Sequence, residues 1–329
     1  MSQTETLLTV EKDITGYGTG QGNYYLISNP LWDDLYASDV EGLIPSNEAD
    51  FDLYYFYNEG ENLGEDDDFA YREWLNYKAD PFPVYYASGY LYANKEDVTL
   101  RFAGTTWPNY NTGLRASVSY DEDTDAPFGN WALTGNLFSC NGYLVYTDED
   151  IYLAETNFYV MNEAGDDLEL SETQVALSPC QGAFIEIPYA GYLNFLTFDP
   201  GFSKTGALNI TLTQGQGKID QARVRFGEGH NLGKLSLREK SLVYIPMEGK
   251  DLAVAYTGNK GEMPVNFKAK ESGSYTLSFN SEAVNFSHLH LIDTLTGAEI
   301  DLLQTPTYTF EASTTDNPNR FKVVFVSEE

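Results

Sequence analysis

Basic residues, cysteine and histidine are scarce in this 329-residue sequence. It carries 19 Lys and Arg against 50 Asp and Glu, with two Cys and three His. The formal net charge of -31 repels phosphate backbones and anionic lipid, so the composition argues against nucleic acid and membrane surfaces as partners. Two cysteines are too few for a disulfide scaffold. Cys140 and Cys180 leave two alternatives open, one disulfide bridge or two buried thiols.

Long apolar runs are also missing from the sequence. No stretch of about 18 apolar residues occurs, so no transmembrane helix and no membrane insertion are predicted. The opening residues, MSQTETLLTVEKD, lack the basic region and the apolar region that make up a signal peptide. We therefore expect either a cytoplasmic protein or an exported one whose leader has been removed.

Signatures of catalysis are absent as well. The sequence has no Gly-x-Ser-x-Gly elbow, no His-Glu-x-x-His pattern and no glycine-rich phosphate loop. Fifty acids guarantee coincidental carboxylate pairs, so such pairs do not support a glycosidase. His288 and His290 share one face of a predicted strand, but no further metal ligand can be placed beside them. The sequence predicts a protein that is not an enzyme and that holds no cofactor, apart from a candidate structural Ca²⁺.

Aromatic residues, by contrast, are abundant at 15%, with 25 Tyr and 19 Phe. Aromatic and β-branched side chains fit half-buried pleated sheets, so the composition favours strands over helices. Two short segments, residues 34–38 and 69–77, show partial helical spacing, although a turn or an extended conformation fits them equally well. Runs bounded by Gly, Pro, Asn or Asp predict strands at residues 23–28, 51–57, 89–92 and 98–102.

The first half of the chain repeats itself. A strand followed by an Asn turn, an aromatic strand and a glycine-led strand occur twice in the same order, which predicts two copies of one β module. The alternative is chance similarity of short β-rich segments. The matched segments are residues 22–31 with 129–138, residues 56–59 with 160–163, and residues 88–92 with 181–185.

After residue 203 aromatic residues become sparser and the alternation of apolar and polar residues becomes cleaner. Seven or more short strands separated by turns predict a β-sandwich of jelly-roll or Ig-like type. The predicted strands are residues 207–213, 221–226, 265–270, 274–279, 287–292, 307–311 and 321–326. The predicted fold is therefore all-β, with tandem β-sandwich-like modules at residues 1–105 and 106–203 followed by a C-terminal β-sandwich at residues 204–329.

One acidic segment is a candidate calcium site. Asp121, Asp123 and Asp125 alternate along the chain and could place oxygen ligands around Ca²⁺. The segment departs from an EF-hand loop, because Ala126 and Ala132 stand where that loop requires Gly and Glu. A solvated acidic loop is the alternative.

The aromatic residues exceed what one inner sheet face needs. Alternation places Tyr54 and Phe56 on one face of their strand, and Tyr55 and Tyr57 on the other. Exposed aromatic side chains can stack on sugar rings or anchor a protein partner, and the alternative is that they fill seams between domains. The candidate ligand-binding residues are Trp32, Tyr55, Trp74, Tyr86 and Trp107.

Several segments resemble secreted, surface-associated proteins of Bacteroidetes. Residues 13–18 and 24–30 resemble their opening repeat, and residues 129–141 resemble their GWNLVGNPFSCN segment, with Leu137 in place of the usual Pro. The C-terminal β-sandwich of those proteins resembles three further segments of this chain, residues 289–297, 308–312 and 320–325.

The resemblance implies an extracellular location, and it would explain the missing leader if the chain is part of a longer protein. A type IX sorting tail is not evident after Phe325, which leaves the export route open. Residues 293–295 fit the short O-glycosylation pattern of that phylum. We therefore expect a non-enzymatic extracellular or cell-surface protein for adhesion or binding, with a protein or a glycan as its partner. The alternative is a carbohydrate-binding accessory module of a glycan-degrading system.

Overall fold

The computed structural model describes most of the chain. Within the described part the protein is all-β, as predicted, and contains no α-helix. Two 3-10 turns, Ala37–Asp39 and Glu48–Asp50, occur, and the first overlaps the segment with partial helical spacing at residues 34–38. None of the described segments forms a helix long and apolar enough to cross a membrane. The described residues are 6–20, 22–56, 74–106, 114–118, 120, 128–148, 151–152, 156–171, 175–201 and 205–328.

The chain divides into two compact units. Unit 1 comprises Met1–Asp167 and Ser171–Gly201, and unit 2 comprises Leu168–Leu170 and Phe202–Glu329. The predicted start of the C-terminal domain, residue 204, lies close to the start of the long segment of unit 2. Both predicted β modules lie in unit 1, and their separation into two domains stays a prediction.

Unit 1 is built from antiparallel strands in both repeated stretches. The strands of the first stretch are β1 (Thr6–Ile14), β2 (Tyr25–Ser28), β3 (Phe51–Phe56), β4 (Trp74–Asn76), β5 (Gly89–Asn94) and β6 (Val98–Thr106). The strands of the second stretch are β7 (Leu114–Val118), β8 (Trp131–Gly135), β9 (Tyr143–Asp148), β10 (Ile151–Tyr152), β11 (Tyr159–Met161), β13 (Gly182–Glu186) and β14 (Gly191–Leu196). The intervening strand β12 (Leu168–Leu170) belongs to unit 2.

Each stretch forms two groups of paired strands. In the first stretch β1 pairs with β6, and the order β2-β5-β3-β4 makes a four-stranded sheet. In the second stretch the orders are β10-β9-β14-β7 and β11-β13-β8. Val10 of β1, Phe102 of β6 and Tyr90 of β5 belong to one buried hydrophobic cluster, so both sheets of the first stretch contribute to a common core. Leu114 of β7 and Ile185 of β13 do the same in the second stretch.

Strand pairs correspond between the two repeated stretches. Ser28 of β2 pairs with Gly89 of β5, and at the matched positions Gly135 of β8 pairs with Gly182 of β13. The next pair in the first copy, Ile27 with Tyr90, likewise matches the next pair in the second copy, Thr134 with Ala183. The two stretches therefore share strand order and register here, which chance similarity of short segments does not explain.

A buried asparagine closes the turn after β8. Asn136 is fully buried, and its side chain amide donates to the carbonyl oxygens of Cys140 at 2.6 Å and Leu177 at 3.0 Å. Its Oδ1 accepts the backbone N–H of Phe138 at 3.0 Å. Phe138 is buried, the carbonyl oxygen of Leu177 also accepts the backbone N–H of Gly142 at 3.0 Å, and Cys140 is exposed. The three bonds therefore close the turn around one buried amide that uses both its oxygen and its nitrogen.

The predicted alignment of residues 56–59 with residues 160–163 is wrong by one residue. Tyr159 pairs with Phe184. The residue of the first copy that matches Phe184 is Leu91, and Leu91 pairs with Tyr54. Tyr159 therefore corresponds to Tyr54. Because side chains alternate along a strand, a shift of one residue exchanges the inward and outward faces.

The two copies face each other through matched glycines. A Cβ added at Gly89 would lie 2.7 Å from Cγ of Leu133, and a Cβ added at Gly182 would lie 3.0 Å from Cβ of Leu26. Leu26 and Leu133 are themselves matched residues of the repeat. Each copy thus places its glycine against the matched leucine of the other copy, as in an isologous two-fold interface.

Unit 2 contains one continuous sheet. Its eleven described strands follow the order β23-β22-β25-β20-β18-β19-β16-β15-β21-β24, with β17 beside β19. The β16–β19 pair is parallel. The strands are β15 (Gly206–Gln214), β16 (Gly217–Phe226), β17 (Leu232–Gly233), β18 (Leu242–Met247), β19 (Lys250–Thr257), β20 (Lys260–Lys268), β21 (Gly273–Glu282), β22 (Asn285–Asp293), β23 (Ala298–Asp301), β24 (Thr307–Ala312) and β25 (Phe321–Glu328).

The sheet of unit 2 curves around one hydrophobic core. The ring centroids of Phe310 in β24 and Phe321 in β25 lie 4.9 Å apart, and those of Phe226 in β16 and Phe325 in β25 lie 5.1 Å apart. Strands that are distant in sheet order therefore meet across the core, and their buried side chains belong to a single cluster. The jelly-roll or Ig-like type of this unit stays a prediction.

Candidate functional site

The structure brings together two of the five candidate ligand-binding residues. Trp32 lies in the bend that follows β2, and Tyr86 lies just before β5. Their ring centroids are 4.9 Å apart with an angle of 52° between the ring planes. Trp107 lies outside the described residues, so its role stays a prediction.

Asn29 fixes the chain around Trp32. Its side chain amide donates to the carbonyl oxygens of Asp33 at 2.7 Å and Val84 at 3.1 Å, and its Oδ1 accepts the backbone N–H of Leu31 at 3.1 Å. Leu31 is fully buried, whereas the next residue, Trp32, is 40% exposed. The buried amide therefore holds a turn that directs the indole ring outward.

The segment that carries Tyr86 is held beside this turn. Leu35 and Val84 exchange two backbone hydrogen bonds of 3.0 and 2.7 Å, and Asp34 Oδ1 accepts the backbone N–H of Tyr86 at 2.6 Å. Val84 is 1% exposed and points into the core. Because side chains alternate in extended chain, Tyr85 is directed outward.

Four residues make up what we call the aromatic surface, namely Trp32, Tyr36, Tyr85 and Tyr86. The exposed fractions are 40% for Trp32, 72% for Tyr36 and 36% for Tyr85. Tyr86 is half-buried and packs against the hydrophobic cluster of the second stretch, and burial raises its pKa to about 12. Its hydroxyl is protonated at neutral pH, like that of any ordinary tyrosine, and can donate a hydrogen bond. An arrangement of exposed rings and phenol groups can stack on a sugar ring or anchor a protein partner.

Tyr55 and Trp74 are half-buried among other aromatic rings, and the ring of Tyr55 lies 5.9 Å from that of Tyr85 at the edge of the aromatic surface. The ring of Tyr55 lies 5.6 Å from that of Tyr90, and it packs on the core of the first stretch. The indole of Trp74 lies 5.2 Å from the ring of Phe56 and 5.7 Å from the ring of Phe184, which belong to different copies of the repeat. The alternative that aromatic residues fill a seam therefore holds for Trp74.

Tyr36 was missed by the sequence-based prediction. It follows Leu35, which is paired with Val84, as Tyr85 follows Val84. The sequence signal for Tyr36 is a pair of adjacent apolar and aromatic residues on each segment, Leu35 with Tyr36 and Val84 with Tyr85. In each pair the first side chain points inward and the second points outward. This signal becomes meaningful only once the two segments are known to lie side by side.

No metal site is found in the part of the chain that the structure describes. There, no three His, Cys, Asp or Glu side chains are grouped so that they could hold a metal ion. His288 and His290 share one face of β22, as predicted, and their rings stack with centroids 4.1 Å apart. Nδ1 of His290 lies 2.8 Å from Oε1 of Glu299.

The three candidate calcium ligands belong to one segment of the chain. Asp121, Asp123 and Asp125 lie outside the described residues. A structural Ca²⁺ bound by these three carboxylates stays a prediction.

The two cysteines are free thiols. Cys140 is exposed, and Cys180 is fully buried in the hydrophobic cluster of the first stretch. Burial raises the pKa of Cys180 to about 12, and it also raises the pKa of Cys140. Nucleophilic cysteines have lowered pKa values, so neither thiol has this property. The structure has neither the bridge nor two buried thiols, because only one of the pair is buried.

Asp293, the first residue of the segment that fits the O-glycosylation pattern, belongs to the interior of unit 2. It accepts hydrogen bonds from Arg320 at 3.0 and 2.9 Å and from the hydroxyl of Tyr308 at 2.9 Å. Burial raises the pKa of Asp293, but these hydrogen bonds outweigh burial and leave the pKa below its usual value. The hydroxyl of Thr294 donates to the carbonyl oxygen of Arg320 at 2.7 Å. Glycosylation of this threonine stays a prediction.

No family model, no curated protein and no solved structure matches this chain.

Proposed function

We propose that this chain is a non-enzymatic extracellular or cell-surface protein that works by binding or adhesion. The observation that supports the proposal is the aromatic surface, in which a 40% exposed indole lies against the ring of Tyr86, in a turn that hydrogen bonds of the Asn29 side chain close. A ring held in place before binding loses little conformational freedom when a partner arrives. Aromatic residues at the centre of an interface commonly supply much of its binding free energy.

The charge of the chain agrees with this role. A net charge of -31 keeps the protein soluble and keeps copies of it apart. Such a surface favours partners that are neutral or basic over acidic ones. The resemblance to secreted Bacteroidetes proteins adds support for an extracellular location.

A carbohydrate-binding accessory module of a glycan-degrading system is the second candidate function. It is favoured by the pairing of Trp32 with Tyr86, whose ring centroids lie 4.9 Å apart. A sugar ring can stack on the exposed indole while the tyrosine hydroxyl donates to one of its hydroxyl groups.

The test compares Trp32→Ala with Phe198→Ala, which removes an equally prominent aromatic ring that is 51% exposed. Pull-downs from cell surfaces and a glycan array are run with the unmodified chain and both variants. We expect a specific partner or glycan whose binding falls by about tenfold or more in Trp32→Ala and is kept in Phe198→Ala.

Three outcomes would contradict or redirect the proposal. Equal binding by both variants would remove the aromatic surface from the argument. Reproducible hydrolysis in a broad glycan and peptide screen would overturn the non-enzymatic role. Array binding that is lost with a chelator and restored by Ca²⁺ would point to Asp121, Asp123 and Asp125.

A further inference from the structure

A cleft of about 250 Å³ lies in unit 1 between segments of the two copies. The first copy contributes residues of β1 and of the start of β2, and the second contributes the turn after β11 and the start of β13. The cleft shares no residue with the aromatic surface. The lining residues used below are Lys12, Tyr24, Tyr25, Asn162, Glu163 and Gln181.

Lys12 brings a positive charge to this cleft. The side chain is half-buried, and its Nζ lies 6.0 Å from the ring centroid of Tyr25. Within the described ranges it forms no ion pair, although the chain has 50 acids and only 19 basic residues. An ammonium group has three N–H donors, so this side chain is able to donate to a ligand.

Two amide side chains in the cleft retain N–H donors. Oε1 of Gln181 accepts the backbone N–H of Ser178 at 2.9 Å, which leaves the Nε2 hydrogens available. Asn162 donates one amide hydrogen to Asp166 at 2.8 Å and keeps the other. Internal bonds thus position both amides without using all of their donors.

Tyr24 is fixed at the wall of the cleft. Its hydroxyl donates to Oδ2 of Asp52 at 3.0 Å, and its backbone N–H donates to the carbonyl oxygen of Gly165 at 2.8 Å. Gly165 has a φ of +63°, and a Cβ added there would lie 2.7 Å from the backbone nitrogen of Tyr24. The close approach therefore requires glycine, and it holds the tyrosine in one place before any ligand binds.

We propose that this cleft binds one ring of a neutral carbohydrate. Tyr24 and Tyr25 offer aromatic surface for a sugar ring, and the amides and Lys12 offer donors to hydroxyl groups. Glu163, which is exposed at the rim, supplies a carboxylate that accepts hydrogen bonds from hydroxyl groups. One cationic and one anionic side chain at the same cleft favour a neutral polyhydroxylated ligand over a charged one.

The size of the cleft limits the ligand. Pockets for drug-sized molecules span roughly 300–1,000 Å³. A cleft of about 250 Å³ is smaller and fits a single ring, with longer chains extending into solvent.

The matched position of the second copy lacks the cation. Lys12 pairs with Leu100 in β6, and Ala116 pairs with Leu193 in β14. Leu100 and Leu193 lie at the same distance along the chain from the matched glycines, so Ala116 corresponds to Lys12. The substitution Lys12→Ala therefore introduces the residue that the second copy already has.

The test uses the full chain and saturation-transfer NMR with glucose, galactose, mannose and glucuronate. We expect saturation transfer to the ring protons of at least one neutral hexose. Binding should weaken by about tenfold or more in Lys12→Ala, as expected for loss of a charged donor, and by less in Glu163→Gln. Lys260→Ala, which removes an exposed lysine of unit 2, and Trp32→Ala should leave it unchanged.

Each other outcome overturns the proposal in a different way. Tighter binding of glucuronate than of any hexose, lost in Lys12→Ala, would make the cleft an anion site. Sugar binding lost only in Trp32→Ala would assign it to the aromatic surface. No transfer to any of the four sugars would remove the cleft as a sugar site without affecting the proposal for the aromatic surface. Circular dichroism of every variant checks that it folds. If Lys12→Ala does not fold, Glu163→Gln at the exposed rim still tests the cleft.

Discussion

The two copies of the β module share their buried polar bonds but differ in their side chains at the seam. Asn29 and Asn136 each accept the N–H of the residue two positions on and donate to two carbonyl oxygens, one of them four positions on. By contrast, Ala116 replaces Lys12, and the large aromatic Phe184 stands where the first copy has Leu91. The bonds that close the turn are thus the same in both copies, whereas the residues matched to Lys12 of the cleft and to Phe184 of the seam differ in size and charge.

The largest expected effect concerns the aromatic contact across the seam. Phe184 is 1% exposed and touches Phe56 and Trp74, whereas Leu91 is half-buried. Phe184→Ala should lower the free energy of unfolding by about 3–5 kcal/mol, and Leu91→Ala by about 1 kcal/mol. Urea unfolding followed by tryptophan fluorescence measures both values. Equal losses would mean that the two copies contribute alike at this position.

Removal of either buried asparagine should have the next largest effect. Asn29→Ala and Asn136→Ala each leave one N–H and two carbonyl groups without their side chain partner, and each should cost about 2–4 kcal/mol of unfolding free energy. Because the bonds match, the two losses should be similar. Urea unfolding of both variants gives the comparison. A loss in only one of them would show that the other turn is held by different contacts.

The matched glycines should respond unequally to an added methyl group. At Gly89 the new Cβ would lie 2.6 Å from a backbone oxygen of Thr134, whereas at Gly182 its nearest neighbour is 3.0 Å away. Gly89→Ala should therefore cost about 1–3 kcal/mol, and Gly182→Ala should cost less. Thermal and urea unfolding of the two variants measure the difference. The reverse order would indicate that the Gly89 side of the seam relaxes more easily.

The smallest expected effect is the pH response of a buried thiol. Cys180 has a pKa of about 12 in the folded chain against 9.0 for an ordinary thiol, so between these values the unfolded state loses a proton that the folded state keeps. This thiol therefore makes stability fall as pH rises above about 9, and has no such effect at pH 7. Its matched residue is Ala87, and both have positive φ.

Cys180→Ala should remove this part of the alkaline loss. Urea midpoints of the unmodified chain and the variant, measured at pH 7 and pH 10, give the comparison. An equal fall in both proteins would contradict the raised pKa. In addition, a thiol reagent should modify Cys140 in the folded chain and both cysteines after unfolding.

Strands with clear alternation were predictable from the sequence. All seven strands predicted after residue 203 are present in unit 2, since their turns are marked by Gly or by polar clusters. The hairpin of β18 and β19 was missed. It contains Pro246 within a strand and turns at Glu248 and Gly249, both with positive φ, where Asn-Gly would have been the usual signal.

The candidate site was predictable only in part. The sequence identified Trp32 and Tyr86, but it did not separate them from Trp74, because the outward or inward direction of an aromatic ring depends on which strands pack against it. The glycine and asparagine positions of the repeat were found, since backbone geometry restricts those residue types. The aromatic strand was aligned one residue out, because register depends on the partner strand, which the sequence does not display.

The contact of Gly89 with Leu133 and of Gly182 with Leu26 has the form of a dimer, yet both partners belong to one polypeptide. Dilution cannot separate them, because the link between the halves keeps their effective concentration high. In a dimer of identical subunits every substitution appears on both sides of the axis. Here a lysine can arise on one side while the other side keeps an alanine, so fusion permits an asymmetric cleft that no dimer of identical subunits could encode.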